Sequence, residues 1–311
     1  MRITDSYMSS NFINNLQSNL KNLSKVQNQL SSLKEVSKSS DNPMLVSEIM
    51  DLNNSIIQNE EYMLTIKDSI DFSNMQDSAY DAATKSLSRI RTLIQQAATG
   101  TVNNDDRKII KEEVEAEIQT LTDALNTNFG GKYIFSGQNT TTKPFSIERD
   151  ANGEMTGLNY AGTTDEGTSG NLTRRIAQGV TVELKTDGRE LLNERNSIDT
   201  PDNLGTFLAR TLSALETGNV ESLSGELLVR AEQEIDNIVT NRTENGAIFN
   251  RLEAAKERST AENLNLESMR SDKQDIDLAE KFMEYTMEQT AYQASLAMGT
   301  KILSTSILDY L

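Results

Sequence analysis

The sequence predicts a mainly α-helical fold: a long antiparallel helical bundle with coiled-coil arms at both termini and a small β-rich inserted domain. Apolar residues recur at three- and four-residue spacing along most of the chain, which is typical of amphipathic helices. All three prolines fall at predicted element boundaries or in the middle segment, and ten of the 16 glycines lie between Gly130 and Gly188. The chain therefore consists of helical ends around a central segment of different composition.

The C-terminal arm is a predicted amphipathic helix of 36 residues, from Ile276 to Leu311. Its first apolar stripe consists of Phe282, Tyr285, Tyr292, Leu296, Gly299 and Leu303, and a second, small-residue stripe consists of Ala279, Met283, Met287, Ala294 and Ala297. A terminal helix with two stripes needs one partner in its own chain and another in a neighbouring molecule. The alternative is a C-terminal helix that docks on an ordinary core.

The N-terminal arm is the predicted partner within the chain. Between Ser10 and Glu35 the apolar positions are Phe12, Ile13, Leu16, Leu20, Leu23, Val26, Leu30 and Leu33, a narrow stripe that is typical of a coiled-coil seam. Residues 1–40 carry a net charge of +3 and residues 272–311 a net charge of −4, so the two arms attract each other weakly. Because short isolated seams are marginally stable, we expect both arms to be loose in the free monomer and to order on assembly.

Capping residues, prolines and glycines predict the helices between the arms. Asp41-Asn42-Pro43 starts the second helix and Asn103 caps the third. The predicted helices run from 43 to about 98, from 103–106 to 129–131, from 204 to 215, and from 223 onward with a soft break near Ser271-Asp272.

The middle of the chain, residues 131–204, is predicted to be a β-rich insert. Its strand-like runs are 133–135, 158–160 and 180–184, with a turn at 150–153. The predicted domains are therefore the arms (1–41 with 275–311), a helical bundle (42–130 with 205–274) and the insert. The two ends of the chain come together, and the middle of the sequence lies farthest from them.

Composition argues against several classes of function. The net charge of −17 argues against nucleic acid and against an anionic membrane as partners. The chain has no cysteine and no histidine, which removes disulfides, thiolate chemistry and the commonest general base. No run is apolar enough to span a membrane, and the N-terminus lacks the apolar region of a signal peptide.

Acidic clusters are the remaining candidates for chemistry. The carboxylates between Asp272 and Glu280 lack the glycine and ligand spacing of a calcium loop, and the glutamates at 112–117 splay over several helix faces. We predict no catalytic residue, no cofactor and no metal, and hence no enzyme. The alternative is a secreted enzyme whose insert carries an acid pair, either Glu183 with Asp187 or Glu148 with Asp150.

Several motifs resemble the flagellin family. These are Asp41-Asn42-Pro43, with Asn in place of the family's second acid; 89–93 followed by 97–101; Asn128 to Gly137; Asn245-Gly246-Ala247 with Asn250-Arg251-Leu252; 293–297; and the closing Ser306 to Leu311, with Ile307 as a conservative departure. The segment 128–137 and the closing residues are similar to the family's hook–filament junction branch. The resemblance covers the chain outside the β-rich insert, in which no family motif is found.

The resemblance implies a non-enzymatic structural subunit of the bacterial flagellum, needed for motility, at the junction between hook and filament. Such subunits leave the cell through the type III export channel without a cleaved signal peptide and assemble outside it. The implied partners are further copies of the chain in a ring, hook-associated protein 1 on the hook side, flagellin on the filament side, and an export chaperone. The alternative within the family is a bulk flagellin of the filament.

Assembly by the terminal stripes predicts a set of interface residues. They are Leu16, Leu20, Leu23, Leu30, Tyr285, Tyr292, Leu296, Leu303, Leu308 and Leu311.

Overall fold

The structure is a computed structural model of the chain. It describes residues 2–99, 102–151, 153–162, 170–192 and 203–308, without the side chains of 2–6 and 301–308. The helices are α1 (Arg2–Ser32), α2 (Pro43–Ala97), α3 (Asn104–Leu125), α4 (Leu204–Thr217), α5 (Val220–Ser224), α6 (Glu226–Gln274) and α7 (Leu278–Leu308). The strands are β1 (Asn128–Phe129), β2 (Lys132–Tyr133), β3 (Phe145–Arg149), β4 (Met155–Tyr160), β5 (Leu172–Ala177) and β6 (Val180–Leu184).

The predicted fold class, mainly helical with a small β region, is confirmed. Helix α2 begins at Pro43 as predicted, and the side chain of Asn103 accepts a hydrogen bond from the Asp106 backbone at the start of α3. Helix α1 is longer at its N-terminal side than the apolar stripe indicated. It ends at Ser32 because Leu33 has a left-handed backbone, with φ of 57°.

By packing, the chain divides into two compact units. The terminal unit contains residues 1–60 and 261–311, and the central unit contains residues 61–260. The division falls inside α2 and α6, so each of these helices contributes to both units. The predicted three-part organisation remains a prediction.

In the terminal unit, α1 and α7 form an antiparallel pair. At one end, the Glu35 backbone N–H donates to the Gln274 carbonyl at 2.8 Å. Farther along, the side-chain amide of Asn19 donates to the Ser295 hydroxyl at 2.9 Å. The prediction that the two arms of one chain are partners is confirmed.

Close packing of Phe12 against Gly299 sets the register of this helix pair. A β-carbon built on Gly299 would lie 2.2 Å from Cζ of the Phe12 ring, far inside van der Waals contact. Glycine costs about 1 kcal/mol in a helix interior relative to alanine. Its presence in the middle of α7 is therefore explained by the approach of the Phe12 ring.

The central unit has one hydrophobic core that the helices and strands share. Its largest fully buried side chains include Tyr80, Phe135, Phe145, Phe207, Ile118 and Leu121. The ring of Tyr80 packs against that of Phe135 with centroids 5.1 Å apart. Strand β3 packs on α3 and strand β4 on α4, so the β-rich segment and the helices form one folded body in this unit.

The strands pair as three antiparallel hairpins, β1–β2, β3–β4 and β5–β6. The predicted strand at 180–184 and the turn at 150–153 are confirmed. The predicted strand at 133–135 is wrong beyond Tyr133, because a two-residue turn with left-handed Gly130 and Gly131 pairs β2 with β1. The next two residues, Ile134 and Phe135, are buried in the core instead. Strands β3 and β5 were not predicted.

A buried polar pair joins α2 to α6 within the central unit. The Ser73 hydroxyl donates to Oδ1 of Asn245 at 2.9 Å, and Nδ2 of Asn245 donates to the Ser73 carbonyl at 2.9 Å. Both residues are almost fully buried. Since an unpaired buried amide is costly, this pair fixes which residues of the two long helices face each other.

A buried ion pair closes the segment after β6. The Asp187 carboxylate accepts from Nη2 of Arg189 at 2.7 Å and from the Gly170 backbone N–H at 3.1 Å. Burial disfavours the charged carboxylate, but the hydrogen bonds and the charge of Arg189 outweigh burial and lower the pKa of Asp187. Asp187 is therefore ionised in the folded state.

We expect Asn245→Ala to lower the free energy of unfolding by about 1–3 kcal/mol, because the substitution leaves the Ser73 hydroxyl buried without its acceptor. Urea unfolding followed by circular dichroism measures the change. The control is Asn250→Ala on the exposed face of α6, which should cause no comparable loss. Equal effects of the two substitutions would contradict a special role for the buried pair.

The lowered pKa of Asp187 predicts an acid-sensitive contribution to stability. The contribution is present above the ordinary aspartate pKa and is lost as the pH falls through the lowered pKa of the folded state. Asp187→Asn should therefore destabilise the protein at neutral pH, and the difference from wild type should shrink as the pH falls below the ordinary aspartate pKa of about 4. Unfolding midpoints across this range test it, and a difference that does not change with pH would argue against the ion pair.

We expect Gly299→Val to loosen the α1–α7 pair, because the added carbons require the space of the Phe12 ring. Hydrogen exchange of the α1 amides should rise, while exchange in the central unit should not change. Adding Phe12→Ala to Gly299→Val removes the ring and should restore part of the protection. Unchanged exchange in Gly299→Val would show that the register does not depend on this contact.

Candidate assembly surface

The structure divides the predicted interface residues between two environments. Leu16, Leu23, Leu30, Tyr285 and Tyr292 are half-buried in the terminal unit. By contrast, the side chain of Leu20 is 50% exposed and that of Leu296 is 42% exposed. The side chains of Leu303 and Leu308, and all of Leu311, lie outside the described residues.

The two predicted stripes of α7 do not separate into one inner and one outer face. Tyr292 and Gly299 of the first stripe lie on the half-buried side, whereas Phe282 and Leu296 of the same stripe are exposed. The side of α7 turned to α1 also carries polar groups, such as Ser295. Consequently much of the apolar surface of α7 is not covered by its own chain.

Several large apolar side chains are exposed along the terminal unit. On α7 they are Leu278, Phe282, Met283, Met287, Leu296 and Met298, and on α1 they are Tyr7, Met8, Ile13 and Leu20. Met283 and Met287 lie one turn apart, and Thr286, Met287, Thr290, Ala291 and Ala294 line a shallow open groove beside them. Contiguous exposed apolar surface of this kind is typical of interaction sites.

Among the described residues, one ion pair joins the two arms, and its two charges are opposite in sign to the net charges of the segments that carry them. Glu35 lies in the net-positive segment and Lys281 in the net-negative one, and their charged groups are 3.2 Å apart. Partial burial opposes the charge of Lys281, but hydrogen bonds to Glu284 and Glu35 outweigh burial and raise its pKa. Gln29 supports the site, since its amide donates to the Glu35 carbonyl at 2.7 Å. Sequence reasoning missed this buried glutamine, because only its position between Val26 and Leu30 marks it as inward-facing.

The acid pairs of the enzyme hypothesis are held in structural contacts. Asp187 is bound to Arg189, as described above, and Asp150 accepts from the Glu154 backbone at 2.9 Å across the β3–β4 turn. Glu148 lies opposite Gly157 in the β3–β4 ladder. An aspartate with a lowered pKa is a poor general acid, because it has no proton to give near neutral pH.

Two of the acidic residues near the start of α7 are also engaged locally. Asp277 accepts from the Ala279 backbone at 2.8 Å, as a helix cap does, and Asp275 accepts from the Ser271 hydroxyl at 2.6 Å. Within the described part of the chain, no three acidic side chains cluster as ligands of a metal ion. The described helices also include none that is long and apolar enough to cross a membrane.

Comparison with known proteins gives matches at both ends of the chain. The bacterial flagellin N-terminal helical region matches residues 3–140, and the bacterial flagellin C-terminal helical region matches residues 228–311. Flagellar hook-associated protein 3 of Escherichia coli is 25% identical over 299 residues, which cover 90% of each chain. Flagellin of Bacillus subtilis is 24% identical over 303 residues, which cover 96% of this chain and 95% of that one.

A solved structure supports the fold. The crystal structure of Bacillus cereus FlgL superposes with a TM-score of 0.56 at 22% identity, over 71% of this chain and 99% of that chain. The two flagellin regions together span more than half of the sequence, including both helices of the exposed apolar surface. The chain belongs to the flagellin family.

Proposed function

We propose that this chain is a structural subunit of the bacterial flagellum, of the hook-associated protein 3 type, that forms the junction between hook and filament. The observation that carries the proposal is the α1–α7 pair, which leaves large apolar side chains such as Phe282 and Leu296 exposed in the single chain. The similarity to hook-associated protein 3 along 90% of the sequence supports the junction role.

The mechanism is folding coupled to assembly. Leu20 and Leu296 are about half exposed in the single chain, so a neighbour that covers either side chain gains roughly half of the 1.5–3 kcal/mol that full burial of a large apolar side chain provides. Two helices packed against each other cannot bury all sides of either one, so this free energy is gained only when neighbouring subunits cover the remaining surface. Association therefore stabilises helices that are marginal in the monomer.

The proposed interface is the set predicted from the sequence. It comprises Leu16, Leu20, Leu23, Leu30, Tyr285, Tyr292, Leu296, Leu303, Leu308 and Leu311. Leu20 and Leu296 are the members most directly available to a neighbouring subunit, since their side chains are exposed in the single chain. The half-buried members support the helix pair that presents them.

The domain roles follow the same proposal. The arms, residues 1–41 and 275–311, form an inner coiled-coil layer, residues 42–130 and 205–274 form the surrounding helical bundle, and residues 131–204 face outward. The subunit acts outside the cell after export without a cleaved signal peptide. It has no enzymatic activity.

The proposed partners are further copies of this chain in a ring, hook-associated protein 1 on the hook side and flagellin on the filament side. An export chaperone covers the C-terminal helix before assembly. The exposed apolar surface of α7 supports such partners, because it remains available in the single chain.

A second candidate is a bulk flagellin, which the match to the Bacillus subtilis protein over 96% of this chain favours. Growth of long filaments from purified protein on short seeds would support this alternative. A junction subunit should add only a short layer and then stop.

We expect Leu296→Asp to abolish junction assembly while the central unit stays folded, because the substitution places a charge where a neighbour must bury an apolar side chain. Electron microscopy of cells in which this chain is the only junction subunit counts attached filaments, and circular dichroism tests the fold. The control is Val180→Asp, a valine of similar exposure in the β5–β6 hairpin, which should assemble. Normal filaments on Leu296→Asp cells would contradict the proposal.

A further inference from the structure

A cleft lined by lysines lies on the terminal unit, on α1 and the segment that follows it. It has a volume of about 230 Å³, and its lining includes Lys21, Lys25, Asn28, Gln29 and Lys38. Lys21 and Lys25 are one helical turn apart on α1, so their ammonium groups lie on the same side of the helix. Two carboxylates, those of Glu35 and Asp41, also reach the cleft.

Three lysines line the cleft against these two carboxylates, which also have contacts of their own. Glu35 is paired with Lys281 at 3.2 Å, and Asp41 accepts from the Lys38 backbone at 3.2 Å. Among the described side chains, Lys21, Lys25 and Lys38 have no ion-pair partner. The cleft is therefore a local excess of positive charge in a chain of net charge −17, and it suits a carboxylate-rich partner.

A carboxylate-rich segment lies at the same end of the α1–α7 pair. It is the turn between α6 and α7, which we call the acidic turn, residues 272–280. Asp272 and Glu280 are exposed, and their carboxylates have no hydrogen-bond or ion-pair partner among the described residues, whereas Asp275 and Asp277 are engaged locally. The backbone bond from Glu35 to Gln274 ties this turn to the segment that lines the cleft.

We propose that the lysine cleft of one copy receives the acidic turn of the next copy, with Lys21 and Lys25 meeting Asp272 and Glu280. The inference rests on the proposed function and names the polar contact between neighbouring subunits. Within one chain the two charged patches do not pair, although they belong to the same end of the helix pair. Contact between neighbouring copies can satisfy both of them.

The two patches differ, so the contact is head-to-tail. A head-to-tail contact generates a ring or a helical array, whereas a contact between identical patches closes as a dimer. Charge complementarity also sets orientation and speeds encounter, and it disfavours wrong partners of like charge. The apolar surface of α1 and α7 supplies most of the affinity between copies. The lysine cleft determines which surface of the next copy is bound.

Charge reversal tests the contact. Two full-length variants, Lys21→Glu/Lys25→Glu and Asp272→Lys/Glu280→Lys, are each produced in cells that lack any other junction subunit. Each alone should reduce attached filaments by about tenfold or more, because every neighbour contact then places like charges together. One chain that carries all four substitutions should regain filaments, since its two reversed patches again place opposite charges together at every contact.

Controls separate this inference from the proposed function. Lys67→Glu/Lys143→Glu changes the net charge equally at exposed sites of the central unit and should assemble normally. Circular dichroism of each purified variant checks folding, and Lys21→Gln/Lys25→Gln gives the neutral case, with an intermediate loss. Normal assembly of either reversal variant, or no recovery when one chain carries all four substitutions, would overturn the contact and point to a different anionic partner. Failure of the wild-type chain to attach filaments would instead overturn the junction role.

Discussion

The packing of α1 against α7 leaves each helix with a covered side and an open side, and this constraint governs the behaviour of the terminal unit. Gly299 lets the Phe12 ring approach α7, and the pair of Glu35 with Lys281 fixes the end of the contact. The remaining apolar surface is not covered by the part of the chain that the structure describes. The terminal unit is thus complete as a helix pair but incomplete as a hydrophobic core, which is the physical basis of coupled folding and assembly.

The central unit, by contrast, buries most of its apolar side chains within itself. Its helices and hairpins bury one continuous core, and several of its buried polar groups are paired, as in the pair of Ser73 with Asn245 and that of Asp187 with Arg189. We expect such a unit to be stable without neighbours. Under the proposed function, the chain combines this central unit with terminal helices that neighbouring subunits stabilise.

Capping residues and the spacing of apolar residues predicted the helices well, because both are properties of short segments. Pro43 and Asn103 mark helix starts that the structure confirms, and the alternation at 180–184 marks β6. Strand β5 was missed because adjacent arginines, Arg174 and Arg175, hide the alternation of its apolar residues. The inner face of α7 could not be predicted, because a helix with apolar residues on several sides does not reveal which side its partner takes.

The sequence also could not identify which charged residues make contacts or which apolar residues meet a neighbour. The net charges of the arms indicated attraction, but only the structure shows that Glu35 and Lys281 make the contact and that Lys21 and Lys25 remain unpaired. The junction branch came from sequence motifs, and the predicted interface residues rest on spacing alone. Which of them meet a neighbour depends on surfaces that a single chain does not contain.

Limited proteolysis of the purified monomer and of the assembled junction, with fragments identified by mass spectrometry, tests whether the terminal helices depend on neighbouring subunits. We expect the monomer to be trimmed quickly at both ends to a stable core of roughly residues 40–275, because isolated short helix pairs are marginally stable. In the assembly the ends should be protected. Full-length resistance of the monomer would contradict the account, because it would show that the terminal helices are already stable within one chain.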